Sequence, residues 1–279
     1  RVAHGLVVTT KTGEKVRVLA YRDGAFRVTV APKLAQAAKS LMVIAEPDGS
    51  PVYAKTAAAV TLTTARSRAE VRLADGRLRV FDAAGALLLD EFAPARRLER
   101  VTIEGQPFFA TRAQFNRGTD EGLYGLGQHQ NRQMNYNGED VELAQHNMAI
   151  AVPYLLSTRG YGILWDNNSI TRVGDPKPYR LLQAGWNARY YLGDKLAAER
   201  AEASIAYPYI RDLKRWPATA PADKTTRVVW NGTYTPDKSG IHKFQLYSSS
   251  YAKVYADGQK VLERWRQNWN PWYHNFELA

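Results

Sequence analysis

Short alternations of apolar and polar residues recur along the first 110 residues and limit the fold more than any other feature. Residues 15–21 and 25–30 alternate with the period of two that half-buried strands require. The turn dipeptides Asp23-Gly24 and Asp75-Gly76 separate neighbouring alternations. Such strand signals return roughly every 8–12 residues, and the helical period is nearly absent. The sequence therefore predicts an all-β chain that opens with an antiparallel sandwich.

A second β module follows a cluster of chain-breaking residues. Residues 174–178 read Gly-Asp-Pro-Lys-Pro, which is typical of a domain boundary, and six of the seven tryptophans lie at or after Trp186. Later strand signals occupy residues 227–231, 242–247 and 252–256. Residues 197–206 fit either a short helix or a loop. We therefore predict two domains, residues 1–182 and 183–279, both of them β-sandwiches.

Positive charge is spread along the chain rather than gathered in one place. The net charge of +11 comes from 24 Lys/Arg against 18 Asp/Glu in residues 1–182, and from 14 against 9 in residues 183–279. No basic run exceeds a pair, whereas phosphate-binding proteins concentrate such residues on one face. We therefore predict no nucleic-acid partner. No segment approaches the roughly 20 apolar residues of a membrane span, and the chain has no cysteine.

A polar loop between two glycine-punctuated strand signals is the first candidate binding site. The strand signals cover residues 122–128 and 153–167, and the residues between them are rich in amides and aromatics. Amides donate to and accept from sugar hydroxyls, and a tyrosine ring can stack on the C–H face of a sugar. The residues predicted to contact a sugar are His129, Asn131, Gln133, Asn135, Tyr136 and Asn137.

Other functions for this loop are a solvated surface, a metal site or a phosphate site. His129 and His146 flank several carboxylates, but no pair has the helical spacing of a zinc protease motif, so we predict no metal. The glycines at 122, 125 and 127 match neither phosphate-binding pattern. We expect them to allow a strand bend or a close backbone approach.

Aromatic residues near the end of the chain form the second candidate site. Trp269, Trp272 and Tyr273 alternate with arginines and amides, as carbohydrate-binding surfaces do. The alternative is that these rings belong to the core, where most large aromatic side chains lie. We predict that they contact a sugar as part of the second module.

The carboxylates do not form a catalytic pair. Hydrolysis of a glycosidic bond uses two carboxyl groups on opposite sides of that bond. Asp166 stands at the end of an apolar strand, where aspartate commonly closes a turn. Asp90 and Glu91 are adjacent in a strand and so point to opposite faces. We therefore predict no catalytic residue and no cofactor in this chain.

Particular motifs in both modules resemble known families. In the first module they are Arg27-Val-Thr-Val30, Tyr124-Gly-Leu-Gly-Gln128 and Gly160-Tyr-Gly-Ile-Leu-Trp-Asp-Asn167. In the second they are Trp230-Asn-Gly-Thr-Tyr234, Ser239-Gly-Ile-His-Lys-Phe244 and Tyr255-Ala-Asp-Gly-Gln-Lys260. The first set resembles the galactose-mutarotase-like N-terminal sandwich of glycoside hydrolase family 31. The second is similar to the protective-antigen-type lectin-like domain (PA-14).

The resemblance implies several properties of the fold and of the catalytic site. Two catalytic aspartates are expected on a (β/α)8 barrel that would follow residue 279. The second module is expected to be incomplete at its C-terminal strands. Calcium-dependent relatives carry adjacent aspartates where this chain has Ser249-Ser250, so no calcium site is expected.

By resemblance, the complete protein is a retaining α-xylosidase, or a related α-glucosidase, that removes terminal xylose from xyloglucan oligosaccharides. Its partners would then be the oligosaccharide and the rest of its own polypeptide. Such substrates suggest the periplasm, the cell surface or secretion. The alternative function is a free-standing carbohydrate-binding or adhesion module without enzymatic activity.

Overall fold

The chain folds into β-strands. The computed structural model describes residues 1–11, 13–31, 34, 40–129, 133–145, 149–174, 179–207, 216–249, 251–264 and 272–279. Within these ranges there are twenty-one strands and no α-helix, so the prediction of an all-β fold is confirmed. The same ranges contain no helix with the length and apolarity needed to cross a membrane. The chain divides into two compact units, Arg1–Pro176 and Lys177–Ala279.

The first unit contains fourteen strands. They are β1 (Gly5–Thr9), β2 (Lys15–Ala20), β3 (Phe26–Ala31), β4 (Val52–Lys55), β5 (Ala59–Thr63), β6 (Ser67–Arg72), β7 (Leu78–Asp82), β8 (Leu87–Ile103), β9 (Gln106–Asn116), β10 (Leu123–Gln128), β11 (Asp140–Leu143), β12 (Ile150–Ser157), β13 (Tyr161–Leu164) and β14 (Thr171–Gly174). All the strand pairs are antiparallel.

One sandwich packs the sheet β1-β2-β3 against the six-stranded sheet β4 to β9. In β2 the alternation predicted from sequence is real, because Val16, Val18 and Ala20 are fully buried while the residues between them are not. Each buried aliphatic side chain contributes roughly 1.5–3 kcal/mol. The shared core consists of Leu6, Val8, Val16, Val18, Val60, Leu62, Ala69, Val71 and Leu78.

A second, smaller group of strands follows in the same unit. The sheets β10-β12-β13 and β11-β14 enclose a core of Leu126, Tyr136, Val141 and Leu143. Strands β12 and β13 form a hairpin that turns at Gly160, whose φ of 84° lies in the left-handed region. Both motifs of the central stretch, at 124–128 and 160–167, therefore contribute to one three-stranded sheet.

The second unit contains seven strands. They are β15 (Trp186–Leu192), β16 (Lys195–Glu202), β17 (Arg227–Asn231), β18 (His242–Ser248), β19 (Ala252–Ala256), β20 (Gln259–Arg264) and β21 (Trp272–Leu278). They pair as β16-β15-β17, β18-β21 and β19-β20. The helix or loop predicted for residues 197–206 is wrong over β16, which pairs with β15 along its length. Residues with good helix propensity form this strand because pairing and burial outweigh local preference.

Buried aromatic side chains hold the first sheet of this unit together. Tyr190 is fully buried, and its ring packs edge-on against Trp216 with centroids 5.6 Å apart. The Glu202 carboxylate accepts hydrogen bonds from Tyr190 and Trp230. Burial raises the pKa of Glu202, but these hydrogen bonds outweigh burial and leave it below its ordinary value. The network is internal to the sheet.

Candidate functional site

The polar loop follows β10, a strand that contains a bulge. The pairing of β10 with β12 shifts between Gly125 and Gly127, both of which have positive φ (106° and 99°). A Cβ atom on Gly127 would lie 1.9 Å from the Ile150 carbonyl oxygen, so only glycine fits without movement. The predicted strand bend and close backbone approach are confirmed. Past the bulge the strands pair again, Gly127 with Ala151 and Gln128 with Ile150, and the polar loop follows the end of β10.

The first residues of the loop fold back on β10 and on the following turn. The His129 ring has Nε2 2.8 Å from the carbonyl oxygen of Leu126, and Gln133 donates from Nε2 to Glu139 at 2.6 Å. Both side chains are half-buried. Their predicted contact with a sugar stays a prediction. The predicted contact at Asn131 lies outside the described residues.

Asn135 and Asn137 are bonded to the backbone around the loop. The Asn135 side-chain oxygen accepts from the backbone N–H of Leu123 at 3.0 Å. Asn137 donates from Nδ2 to the carbonyl oxygens of Gly118 (2.8 Å) and Glu121 (2.5 Å). These contacts hold the loop against residues 118–123. Sugar contact by either amide stays a prediction.

Tyr136 has a different role from the predicted one. Its side chain is only 5 % exposed and packs with Leu126, Val141 and Leu143 in the core between the two small sheets. The prediction that its ring stacks on a sugar is therefore wrong, because neither ring face is open to a ligand. The ring instead supports the loop from below and lies edge-on to His129, with centroids 6.5 Å apart.

Glu121, which the sequence did not single out, anchors the start of this region. Its buried carboxylate accepts from the hydroxyls of Ser157 (2.5 Å) and Tyr161 (2.6 Å), and from the backbone N–H of Gly118 (3.1 Å). Burial raises the pKa of Glu121, yet the hydrogen bonds outweigh burial and lower it overall. Burial and the neighbouring carboxylate raise the pKa of Tyr161 to about 12. Glu121 thus stays ionised and joins three segments.

Asp166 also has internal partners. Arg27 donates to one of its carboxylate oxygens at 2.5 Å, and Ser40 donates to the other at 2.8 Å. Arg27 lies in β3, so the ion pair connects two segments 139 residues apart. Two of the motifs that carried the resemblance therefore meet in space. Among the described residues, moreover, His, Asp and Glu side chains form no group of three that could hold a metal ion.

The second predicted site is only partly described. Trp269 lies outside the described residues, and for Trp272 the description covers the backbone of β21 but not the side chain. Tyr273 is 40 % exposed and lies directly opposite Tyr247 of β18, which is 54 % exposed. The two ring centroids are 4.4 Å apart and the rings are tilted by 32°.

Two more cross-strand pairs share the face of the tyrosine pair, since side chains two positions apart in a strand point the same way. Gln245 donates to Asn275 at 3.1 Å, and Lys243 forms an ion pair with Glu277 at 3.2 Å. We call this row the β18–β21 strip; its members are Tyr247, Tyr273, Gln245, Asn275, Lys243 and Glu277. Tyr247 was missed from sequence because only the strand register reveals its partner.

The sheet β10-β12-β13 exposes a largely apolar outer surface, with the exposed Gln128 opposite Ile150 at one end. The register places Tyr154 opposite Leu164, and Leu156 opposite Tyr124. Each of these side chains is 37–52 % exposed, as are the others on the same surface. We call it the apolar face; its members are Tyr124, Ile150, Val152, Tyr154, Leu156 and Leu164.

The folds and motifs agree with family comparisons. Residues 15–173 match the glycosyl hydrolase 31 N-terminal galactose mutarotase-like domain, and residues 182–277 match the PA14 domain. The first match covers more than half of the chain. The chain therefore belongs to glycoside hydrolase family 31 and carries a PA14 domain after the mutarotase-like domain.

Among individual proteins, the chain is similar to a family 31 α-xylosidase from Xanthomonas citri. That crystal structure matches 100 % of this chain with 39 % identity and a TM-score of 0.84. A family 31 α-xylosidase from a soil metagenome, crystallised with xylose, matches 61 % of the chain with 29 % identity and a TM-score of 0.54. An uncharacterised family 31 glucosidase of Pseudescherichia vulneris is 28 % identical over 185 residues, which is 58 % of this chain.

This chain corresponds to only part of each relative. It spans 32 % of the Xanthomonas citri enzyme, 28 % of the soil enzyme and 34 % of the Pseudescherichia vulneris protein. The matching family model is that of an N-terminal domain. The chain therefore corresponds to the N-terminal, non-catalytic region of a family 31 enzyme.

Proposed function

We propose that this chain is the N-terminal part of a retaining α-xylosidase that removes terminal α-linked xylose from xyloglucan oligosaccharides. The observation that carries the proposal is the likeness to the Xanthomonas citri α-xylosidase, which extends over both modules and the whole chain. The soil α-xylosidase was crystallised with xylose, which supports a sugar substrate of the same kind. Periplasm or cell surface is the expected location for an enzyme with polymer-derived substrates.

In this proposal the carboxylates that break the bond belong to a further domain of the same protein. The buried carboxylates Glu121 and Glu202 support this division of labour, because each is enclosed by internal donors. A catalytic carboxyl group must instead reach the glycosidic oxygen or the anomeric carbon. One carboxylate would form a glycosyl intermediate, and another would serve first as acid and then as base.

The apolar face supports the idea that further polypeptide covers this chain. Soluble proteins rarely leave several neighbouring large apolar side chains exposed unless another surface packs on them. The six side chains of the apolar face lie on one sheet and carry only the hydroxyls of two tyrosines as polar groups. A catalytic domain of the same protein is the occupant that we propose. The loop containing His129 and Asn135 begins at the end of β10, beside this face, and would then line the rim of the substrate pocket.

Hydrolysis assays on the complete protein test the proposal. We expect it to cleave p-nitrophenyl α-xylopyranoside faster than the α-glucopyranoside, with NMR showing that the released sugar first has the α configuration. The 279-residue chain alone should cleave neither. Preference for the glucoside would refute the xylose specificity but keep the family. Cleavage by the purified chain, or tight oligosaccharide binding by a complete protein without activity, would overturn the proposal.

A further inference from the structure

Strands β8 and β9 continue beyond the six-stranded sheet as a two-stranded arm. β8 pairs with β7 only over residues 87–90, whereas its pairing with β9 runs on to a turn after Ile103. We call residues 97–112 the β8–β9 arm; among the described strands, no third one pairs with it. Its seven residue pairs span roughly 20–25 Å. A two-stranded hairpin alone is only marginally stable in water, so we expect another surface to support the arm.

Both faces of the arm carry exposed apolar side chains. Phe108 and Phe109 are adjacent in β9 and therefore point to opposite faces, and each is about half exposed. The register places Val101 opposite Phe108, and Ile103 follows on the same face, also about half exposed. None of the three cores formed by the described residues includes these side chains. The arm therefore presents apolar groups that this chain leaves open to water.

The two edges of the arm differ in their capacity to pair with a further strand. Ile103 and Gln106 flank a two-residue turn, so the backbone nitrogens of Thr102 and Pro107 both face away from the partner strand. Pro107 has no hydrogen to donate there, which closes the edge of β9, whereas Thr102 keeps its N–H. The β8 edge therefore offers backbone donors and acceptors, which another strand edge matches most completely.

The order of side chains along this edge is self-complementary. Arg100 and Glu104 are exposed, and within the described part of the chain neither forms an ion pair. When two β8 edges meet antiparallel about a two-fold axis at Thr102, Arg100 of each copy lies opposite Glu104 of the other. Val101 of each copy then lies opposite Ile103 of the other. Opposite charges placed directly across two strands stabilise their pairing.

We propose that the β8–β9 arm binds the same arm of a second copy of this protein, with the two β8 edges joined into a four-stranded sheet. The occupant is a second copy because the charges along β8 match their own reverse order, a match that binding to any other surface would not require. This association goes beyond the proposed function and does not depend on it. The arm has sixteen residues, fewer than the roughly 20–30 a side of a standard interface. The association is therefore weak and depends on concentration.

Analytical ultracentrifugation of the complete protein tests the proposal, because its further domains would cover the apolar face and remove that route to association. We expect the mean mass to rise towards that of a dimer between about 1 µM and 1 mM. Arg100→Glu sets like charges opposite each other on both sides of the axis, and so does Glu104→Arg. Each substitution alone should weaken association at least about tenfold. An equimolar mixture of the two variants should restore it, since each changed position then faces an opposite charge.

The matched control is Arg66→Glu, which makes the same charge change at an exposed position outside the arm. It should leave association unchanged, and circular dichroism verifies that each variant folds. Three results would overturn the proposal: a parent protein that stays monomeric at every concentration, losses in Arg100→Glu no greater than in Arg66→Glu, and a mixture that associates no better than its components. The last result would show that a surface other than a second arm lies against β8.

Discussion

A single buried carboxylate, Glu121, connects the start of β10 to the β12–β13 hairpin. Its carboxylate accepts hydrogen bonds from Ser157 at the end of β12 and from Tyr161 at the start of β13. Charge-assisted hydrogen bonds of this kind are stronger than neutral ones, particularly where water is excluded. The charged hydrogen bonds of Glu121 therefore stabilise the segment to which the polar loop is bonded. The buried Tyr136 ring anchors the loop itself in the core.

Replacing Glu121 with Gln should destabilise the first unit by about 2–4 kcal/mol. The amide keeps the shape but loses the charge and directs an N–H₂ group at hydroxyl donors. Urea unfolding measures the loss. The control is Asp120→Asn. The Asp120 side chain is 88 % exposed, so this substitution should change stability by less than about 0.5 kcal/mol. Equal effects of the two substitutions would contradict the anchoring role.

His274 makes the second unit sensitive to acid. Its ring is buried, and in the described part of the chain Nε2 has no hydrogen-bond partner. Burial, with the nearby Arg264, lowers the pKa of His274 from 6.5 to about 4. The unfolded chain then binds the proton more tightly than the folded chain between these values, so stability falls as the pH drops from 6.5 towards 4.

The His274→Phe substitution should reduce this dependence on pH. In the parent chain, His274 lowers the free energy of unfolding by up to about 3 kcal/mol as the pH falls from 6.5 to 4. The phenylalanine ring has a similar size and does not titrate, so the variant should lose that much less stability on acidification. Urea unfolding followed by tryptophan fluorescence at pH 7 and pH 4.5 measures both differences. Identical pH dependence in the two proteins would show that His274 is not the cause.

Side-chain roles were the hardest feature to predict. The sequence marked Tyr136 and Asn137 by residue type, but burial and bonding to the backbone depend on how the loop folds over the core. Glu121 precedes a glycine-rich strand, and no neighbouring residue indicates its role, since its partners lie 36 and 40 residues away. Residue type shows what a side chain can do chemically; contacts distant in sequence decide whether it does so.

At the scale of elements, a bulge interrupts β10 shortly before the polar loop begins. Gly125 and Gly127 adopt backbone conformations that other residues avoid, and the register slips between them. Past the slip, β10 pairs with β12 again up to Gln128 and Ile150, and the loop begins after Gln128. The end of β10, next to Ile150 of the apolar face, is therefore where the loop starts.

Gly127→Ala should destabilise the first unit by about 2–4 kcal/mol, since a positive φ and a clash with the Ile150 carbonyl act together. Gly160→Ala separates the two effects. Its φ of 84° is equally unfavourable, but a Cβ there meets nothing within 4 Å. It should cost only about 1–2 kcal/mol. Urea unfolding of both variants gives the comparison, and an equal cost would mean that the backbone approach at Gly127 is loose.

Strands were predictable where the alternation was strong, as in β2 and β3, because half-burial imposes a period of two. The register between paired strands was not predictable. The tyrosine pair of the β18–β21 strip joins residues 26 positions apart, and no local pattern encodes that pairing. The strand β16 was missed because its alanines and glutamates favour helices, while its partner β15 supplies the stabilising contacts.

For the whole molecule, the apolar face and the β18–β21 strip differ in chemistry. The apolar face carries large apolar side chains, whereas the strip combines two tyrosine rings with an amide pair and an ion pair. The family and the all-β fold were predictable from motifs that recur in order along the sequence. The apolar face was not, because β12 is apolar at nearly every position, and such a run fits a strand that is buried on both sides. The structure gives one of those sides to solvent, since Ala151 and Leu155 already pack inward.

Introducing lysine at both Val152 and Leu156 tests the covering of the apolar face. In the isolated chain both positions face water, so stability should change by less than about 0.5 kcal/mol and self-association should decrease. In the complete protein the same change would bury two unpaired charges and should cost about 3–5 kcal/mol or more, measured as a lower Tm and lost xyloside hydrolysis. Val52→Lys on β4, 71 % exposed, is the control and should be neutral in both proteins. A complete protein that tolerates the double substitution would show that the catalytic domain packs elsewhere.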